Sequence, residues 1–218
     1  MVENWILKKN ARAQLGNNIF EKTWLMLLLV FLLYSGIVSI AASASWGIAS
    51  VIVAGPLIFG VNRICVKLIM GKKEINIEEM FVGFKECFTQ SLLLSLMTAI
   101  YTFLWSLLFV IPGIVKSYSY AMAPYILQDN PSLEWEECLD ESKKMMDGNK
   151  WQLFCLDFSF LGWYFVGALC FGIGALWVYP YHYMAKANFY LALKAMNESH
   201  RKSADGTDAF EPVDPFAN

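Results

Sequence analysis

The charged residues of this chain are unevenly spaced. No Asp, Glu, Lys or Arg falls between Thr23 and Asn62, between Cys87 and Val115, or between Phe158 and Ala185. A helix needs about 20 apolar residues to cross the hydrocarbon core of a bilayer. Each of the later runs therefore holds at least one crossing, and the first is about two crossings long. Breaker residues divide the runs: the small-residue stretch at 42–46, Pro112-Gly113, "QDNP" at 128–131, and Gly172-Ile173-Gly174. The residue before a proline resists helix, which closes a segment near 128. The pattern predicts an all-α membrane protein with six transmembrane helices in three hairpins. The predicted spans are about 23–41, 47–70, 89–111, 114–128, 151–171 and 175–196.

Two segments between the spans carry a different period. Ile77, Met80, Phe81, Phe84 and Phe88 recur at helical spacing, and Trp135, Cys138, Leu139, Met145 and Met146 nearly do so. That is the template of an amphipathic helix. It predicts two cytoplasmic amphipathic helices, about 76–88 and 131–147. The second is the better punctuated. Asn130-Pro131 offers a cap and a first-turn proline, Glu134, Glu136 and Glu137 suit the positive end of the dipole, Lys143 and Lys144 suit the other, and Gly148 ends it. Its polar face is acidic, which argues against docking on anionic lipid. Pro56 and Pro112 are 56 residues apart, as are Ile77 and Leu133. This spacing suggests a repeated unit of outward helix, return helix with proline, and interfacial helix.

Composition agrees with the pattern. The chain is 57% hydrophobic and 17% charged, with a mean hydropathy of +0.43, whereas soluble domains run near 45–50% and about 25%. Lys8, Lys9, Arg12 and Lys22 precede the first apolar run, and "AASAS" at 41–45 looks like a cleavage site. A signal h-region is only about 7–15 residues long, however, so the first run reads as a retained span. Of the 17 Lys and Arg residues, only Lys116 lies near a predicted outer turn. The positive-inside rule then puts both termini in the cytoplasm of a multi-pass protein of the cell (plasma) membrane. The tail, 197–218, is polar and punctuated by Pro and Gly, and is expected to be disordered. The five cysteines show no CxxC spacing and read as free thiols.

Several longer stretches carry a resemblance. "LKKNARAQLG" at 7–16, "IPGIVKSYSYAMAPYILQDNP", "SKKMMDGNKWQLFCLDFSFLGW" and "LWVYPYHYMAKANFYLAL" resemble the bacterial integral membrane family known as domain of unknown function 975. The similarity covers roughly residues 5–196. It implies a multi-pass membrane protein, and no activity or catalytic residue comes with it. The acidic "EWEECLDE" and the terminal "FEPVDPFAN" depart from the family pattern.

Charge inside a span costs a few kcal/mol, so each instance needs a reason. The candidates are Arg63, Lys116, Asp157, His182, Lys186 and Asn188, with Asn62 beside the first. Measured from the 172–174 turn, Asp157 and Lys186 differ in height by only about 4–5 Å at 1.5 Å per residue. They are expected to meet as a neutralising pair that fixes the last hairpin; part of a proton or ion pathway is the alternative role. Lys116 is expected to snorkel to the outer interface beside Tyr118 and Tyr120. His182 has no second ligand at metal spacing. No phosphate loop, nucleophile elbow or HExxH motif occurs, and the net charge of −2 without a basic stripe argues against nucleic acid. The sequence thus points to a non-enzymatic membrane interaction or assembly protein without metal or cofactor. Its partners would be the lipid bilayer and either a membrane protein or a second copy. A small transporter or lipid-handling protein is the alternative.

Overall fold

The computed structural model describes residues 4–15, 22–44, 48–71, 75–108, 110–169 and 173–204. Among these residues every regular element is helical. The helices are α1 (Asn4–Leu15), α2 (Lys22–Ala44), α3 (Ile48–Ile69), a 3-10 turn (Ile77–Phe81) running into α4 (Val82–Glu86), α5 (Phe88–Leu108), α6 (Val110–Tyr120), α7 (Ala123–Asp129), α8 (Trp135–Met145), α9 (Lys150–Leu169) and α10 (Ile173–Ala204). Three are long and apolar enough to cross a membrane, over Lys22–Ser43, Ile52–Ile69 and Phe88–Leu107.

Helices α3 and α10 form the centre, with buried Leu57, Phe59, Ile64, Met184 and Phe189. Helix α2 packs on both, and α5 and α7 pack on α3. The N-terminal helix α1 was not foreseen. It buries Leu7, Ala11 and Leu15 completely, an i, i+4, i+8 stripe that lies against α10. Gln14 and Asn188 fasten it by exchanging amide hydrogen bonds of 3.1 and 2.7 Å.

The predicted fourth span, 114–128, is two helices rather than one. Pro112 was expected to break the chain, yet it lies in the first turn of α6, where a missing N–H costs nothing. Gly113 serves packing instead: a Cβ there would lie 2.8 Å from Ser106 Cα on α5. The break comes at 121–122, because Pro124 in the first turn of α7 has no N–H to give back to α6. Buried Ser142 of α8 repairs the gap. Its hydroxyl donates to the Ser119 carbonyl at 2.8 Å and accepts from the Met122 N–H at 3.2 Å. Pro56 lies inside α3, so it and Pro112 are not structurally equivalent and the repeat does not extend to the prolines.

Other boundaries also move. The predicted 76–88 helix is the 3-10 turn plus α4, with a bend at Cys87, and Phe88 already belongs to α5. In the predicted 131–147 helix the cap is Glu134 and not Asn130. The Glu134 and Glu137 side chains form a reciprocal capping box, while Asn130 and Pro131 sit in the turn before it. Helix α10 continues to Ala204, beyond the expected end at 196 and into the segment assigned to a disordered tail. The turn expected at 42–46 is helix α2 as far as Ala44; residues 45–47 and 205–218 lie outside the described residues.

Candidate functional site

Helices α6, α9 and α10 bring their polar side chains together around one carboxylate. His182 and Lys186 are four residues apart on α10 and so share a face. Asp157 and Tyr164, seven apart, share a face of α9. The α9–α10 hairpin is tight at its turn, where a Cβ on Gly174 would lie 2.7 Å from Gly167 Cα. This closeness lets the two faces meet. Asp157 Oδ1 lies 2.8 Å from His182 Nε2, and Oδ2 lies 3.1 Å from Lys186 Nζ. The Tyr118 hydroxyl of α6 donates to Oδ2 at 3.3 Å. On the far side of the imidazole, Tyr164 Oη is 3.1 Å from His182 Nδ1. With Nε2–H donated to the carboxylate, Nδ1 accepts from the tyrosine, and a chain of hydrogen bonds runs from Tyr164 through His182 and Asp157 to Lys186.

The surroundings fix the ring. Phe160 stacks on His182 at 4.6 Å between centroids. Lys8 of α1 places its ammonium 4.7 Å from the centroid of that same Phe160, and Tyr181 Oη donates to the Lys8 carbonyl at 3.2 Å. Desolvation by the neighbouring helices pushes the Lys8 pKa below its ordinary value. The cluster is largely sheltered, with 15% of the His182 side chain and 20% of the Asp157 side chain exposed. Chemically it is a carboxylate held between a lysine and an imidazole.

Other predicted residues lie elsewhere. Arg63 pairs with Glu86 at 2.5 Å and Lys67 with Glu79 at 2.7 Å, which clamps the 77–86 segment onto α3. Asn188 belongs to the α1 fastening. Lys116 lies over the Trp105 ring at 5.0 Å. The two tyrosines expected beside it are engaged elsewhere: Tyr118 reaches inward to Asp157, and Tyr120 is buried beneath the Lys143 ammonium. Among the described residues no three His, Cys, Asp or Glu side chains gather as metal ligands.

A second carboxylate site went unnoticed in the sequence. Asp129 Oδ2, at the end of α7, accepts from Tyr190 at 2.7 Å and pairs with Lys194 at 2.5 Å. The i, i+4 spacing of Tyr190 and Lys194 was a signal for it, as the same spacing was for His182 and Lys186.

Over the described residues, the fold and this site define an all-helical protein with three helices long and apolar enough to cross a membrane and a largely sheltered carboxylate cluster joining α6, α9 and α10. Its sequence matches the model of the family described as "Protein of unknown function (DUF975)" over residues 1–119 and 108–197. The chain belongs to that family. No curated protein and no solved structure matches it.

Proposed function

We propose that the protein is a six-crossing integral protein of the cell membrane, with both termini cytoplasmic, that works by binding or assembling other membrane components and not by catalysis. Helices α2, α3, α5, α9 and α10 would each cross. Helices α6 and α7 would together supply the fourth crossing, because broken backbone at membrane depth is tolerated where protein partners satisfy it, as Ser142 does here.

The observation carrying the assembly reading is an exposed aromatic ladder at the foot of α5. Phe81, Phe84 and Phe88 are 40%, 36% and 39% exposed, with successive ring centroids 6.4 and 5.8 Å apart. The charges around it, Arg63 with Glu86 and Lys67 with Glu79, are engaged with each other. An apolar patch rimmed by polar groups is the usual form of an interaction surface. A photocrosslinking residue at Phe84 in intact membranes should yield a discrete protein adduct that Phe81→Asp abolishes. Adducts to lipid alone would contradict the reading.

One observation favours a second reading, that of a small transporter. It is the hydrogen-bonded chain through Tyr164, His182, Asp157 and Lys186, which is the kind of connection a proton relay needs. A His182→Phe protein that stays folded but abolishes a pH-driven flux in vesicles would favour this reading over assembly.

A further inference from the structure

Between α3, α5 and α7 lies a cavity of about 350 Å³, within the usual size range of ligand sites. Gly55 and Phe59 form one wall, Ser91, Ser95 and Thr98 another, and Leu127 its far side. The serines contribute no free donor, because Ser91 and Ser95 donate to the Phe88 and Leu92 carbonyls of their own helix at 3.1 and 3.0 Å. Thr98 and Thr102 also line it, yet its accessible surface is almost wholly apolar, and water needs two to four polar partners. The cavity opens where Ala99, exposed on the flank of α5, lines it.

Its depth and its lining identify the occupant. The α3 and α5 walls fall within the segments Ile52–Ile69 and Phe88–Leu107, both apolar enough to cross a membrane. The opening is flanked by Leu96 and Ile100, which are 37% and 40% exposed. At that depth the surrounding medium is hydrocarbon, and a cavity with an almost wholly apolar lining takes up a flexible hydrocarbon chain without stranding a polar group. We propose that this cavity binds one acyl chain of a bilayer phospholipid, which enters from the hydrocarbon core past Ala99. The inference rests on α3 and α5 lying in the bilayer, and deepens the membrane reading by naming a lipid site.

The test uses the full chain in phosphatidylethanolamine–phosphatidylglycerol vesicles containing a phospholipid with a diazirine in its acyl chain. After photolysis, adducts should be denser on 55–59 and 91–102 than at Leu29 and Leu32, which are exposed on α2 and would sample bulk lipid. Ala99→Trp, which closes the opening from an exposed position, should lower the cavity adducts about tenfold, equivalent to about 1.4 kcal/mol of binding. Thr98→Leu should lower them in the same direction, and neither change should affect α2. Cavity labelling equal to that of α2 and indifferent to both substitutions would overturn the proposal. So would labelling by a free fatty acid carrying the same diazirine but not by the phospholipid, or efficient disulfide formation between two copies bearing Ala99→Cys. Absence of adducts at α2 as well would remove the membrane reading along with the site.

Discussion

Asp157 accepts from three side chains, and the three are not interchangeable. Lys186 offers an amine, His182 an imidazole and Tyr118 an uncharged hydroxyl. Replacing Asp157 with Asn strands the Lys186 charge among sheltered groups, and breaking such a pair commonly costs about 3–5 kcal/mol. The lower end is expected here, because 28% of the Lys186 side chain is exposed. Lys186→Met should cost less, since His182 remains to balance the carboxylate. The double variant should recover most of the Asp157→Asn loss when melting is followed in detergent. A double variant less stable than Asp157→Asn would show that the two charges do not neutralise each other. On α8, the Cys138 thiol is fully buried and desolvation pushes its pKa up to about 11. Thiolate is the reactive form, so Cys138 should resist a thiol reagent in the folded protein while a cysteine replacing exposed Asp140 reacts. Asp140 itself is held below the usual carboxylate range by the Lys143 ammonium. A lowered folded pKa gives stability that is present above the unfolded value of about 3.9 and lost as pH falls through the folded one. For a pair this exposed the amount is a few tenths of a kcal/mol, so melting of α8 should change little between pH 5 and pH 8.

Among the elements, the α6–α7 break ties local sequence to tertiary packing. Ser142→Ala would leave the Met122 N–H and the Ser119 carbonyl buried without their partner, at a cost of about 1–3 kcal/mol. Pro124→Ala restores an N–H and lets α6 continue into α7, so the same Ser142→Ala change should cost markedly less in that background. Equal costs in both backgrounds, in a double-mutant cycle of melting free energies, would show that Ser142 does not serve the break. The seat of the 77–86 segment on α3 is equally specific. A Cβ on Gly60 would overlap the Met80 backbone, and one on Gly83 would overlap the Pro56 carbonyl. Gly60→Ala should therefore loosen that segment and raise proteolysis between 72 and 87, although Gly60 lies inside a helix where alanine is intrinsically favoured.

The same break shows where the sequence stopped being informative. Absence of charge located α2, α3, α5, α9 and the start of α10 within a few residues, because burial in apolar surroundings is a property that each residue reports for itself. A proline does not report its position within a helix. Pro112 and Pro124 differ in effect only because α6 starts at Val110, and that start depends on Gly113 packing against Ser106. Counting rises from the 172–174 turn brought Asp157 and Lys186 together. His182, one turn from Lys186, shares its face and carries the same signal, but an imidazole in a span reads equally as a metal ligand or a cavity-lining group. Tyr118 lies beyond such counting, since its partner comes from a helix whose neighbours only the tertiary fold decides, and Asp129 is signalled only from the other side, by the spacing of Tyr190 and Lys194.

For the whole molecule, the proposed topology has six crossings with both termini inside, although among the described residues only α2, α3 and α5 meet the length and hydropathy of a crossing on their own. In the remaining segments Tyr, Trp, the Asp157 cluster and the α6–α7 break lower the apolar signal, and membrane residence would depend on their being packed against one another. Cysteine accessibility in intact cells tests this most directly. In a cysteine-free background, single cysteines at Ser45, Ile111 and Ile173 should react with an impermeant thiol reagent from outside. Cysteines at Asp140 and Asp205 should react only after the membrane is opened. Labelling of Asp140 or Asp205 in intact cells, with Ile111 and Ile173 protected, would contradict the six-crossing topology.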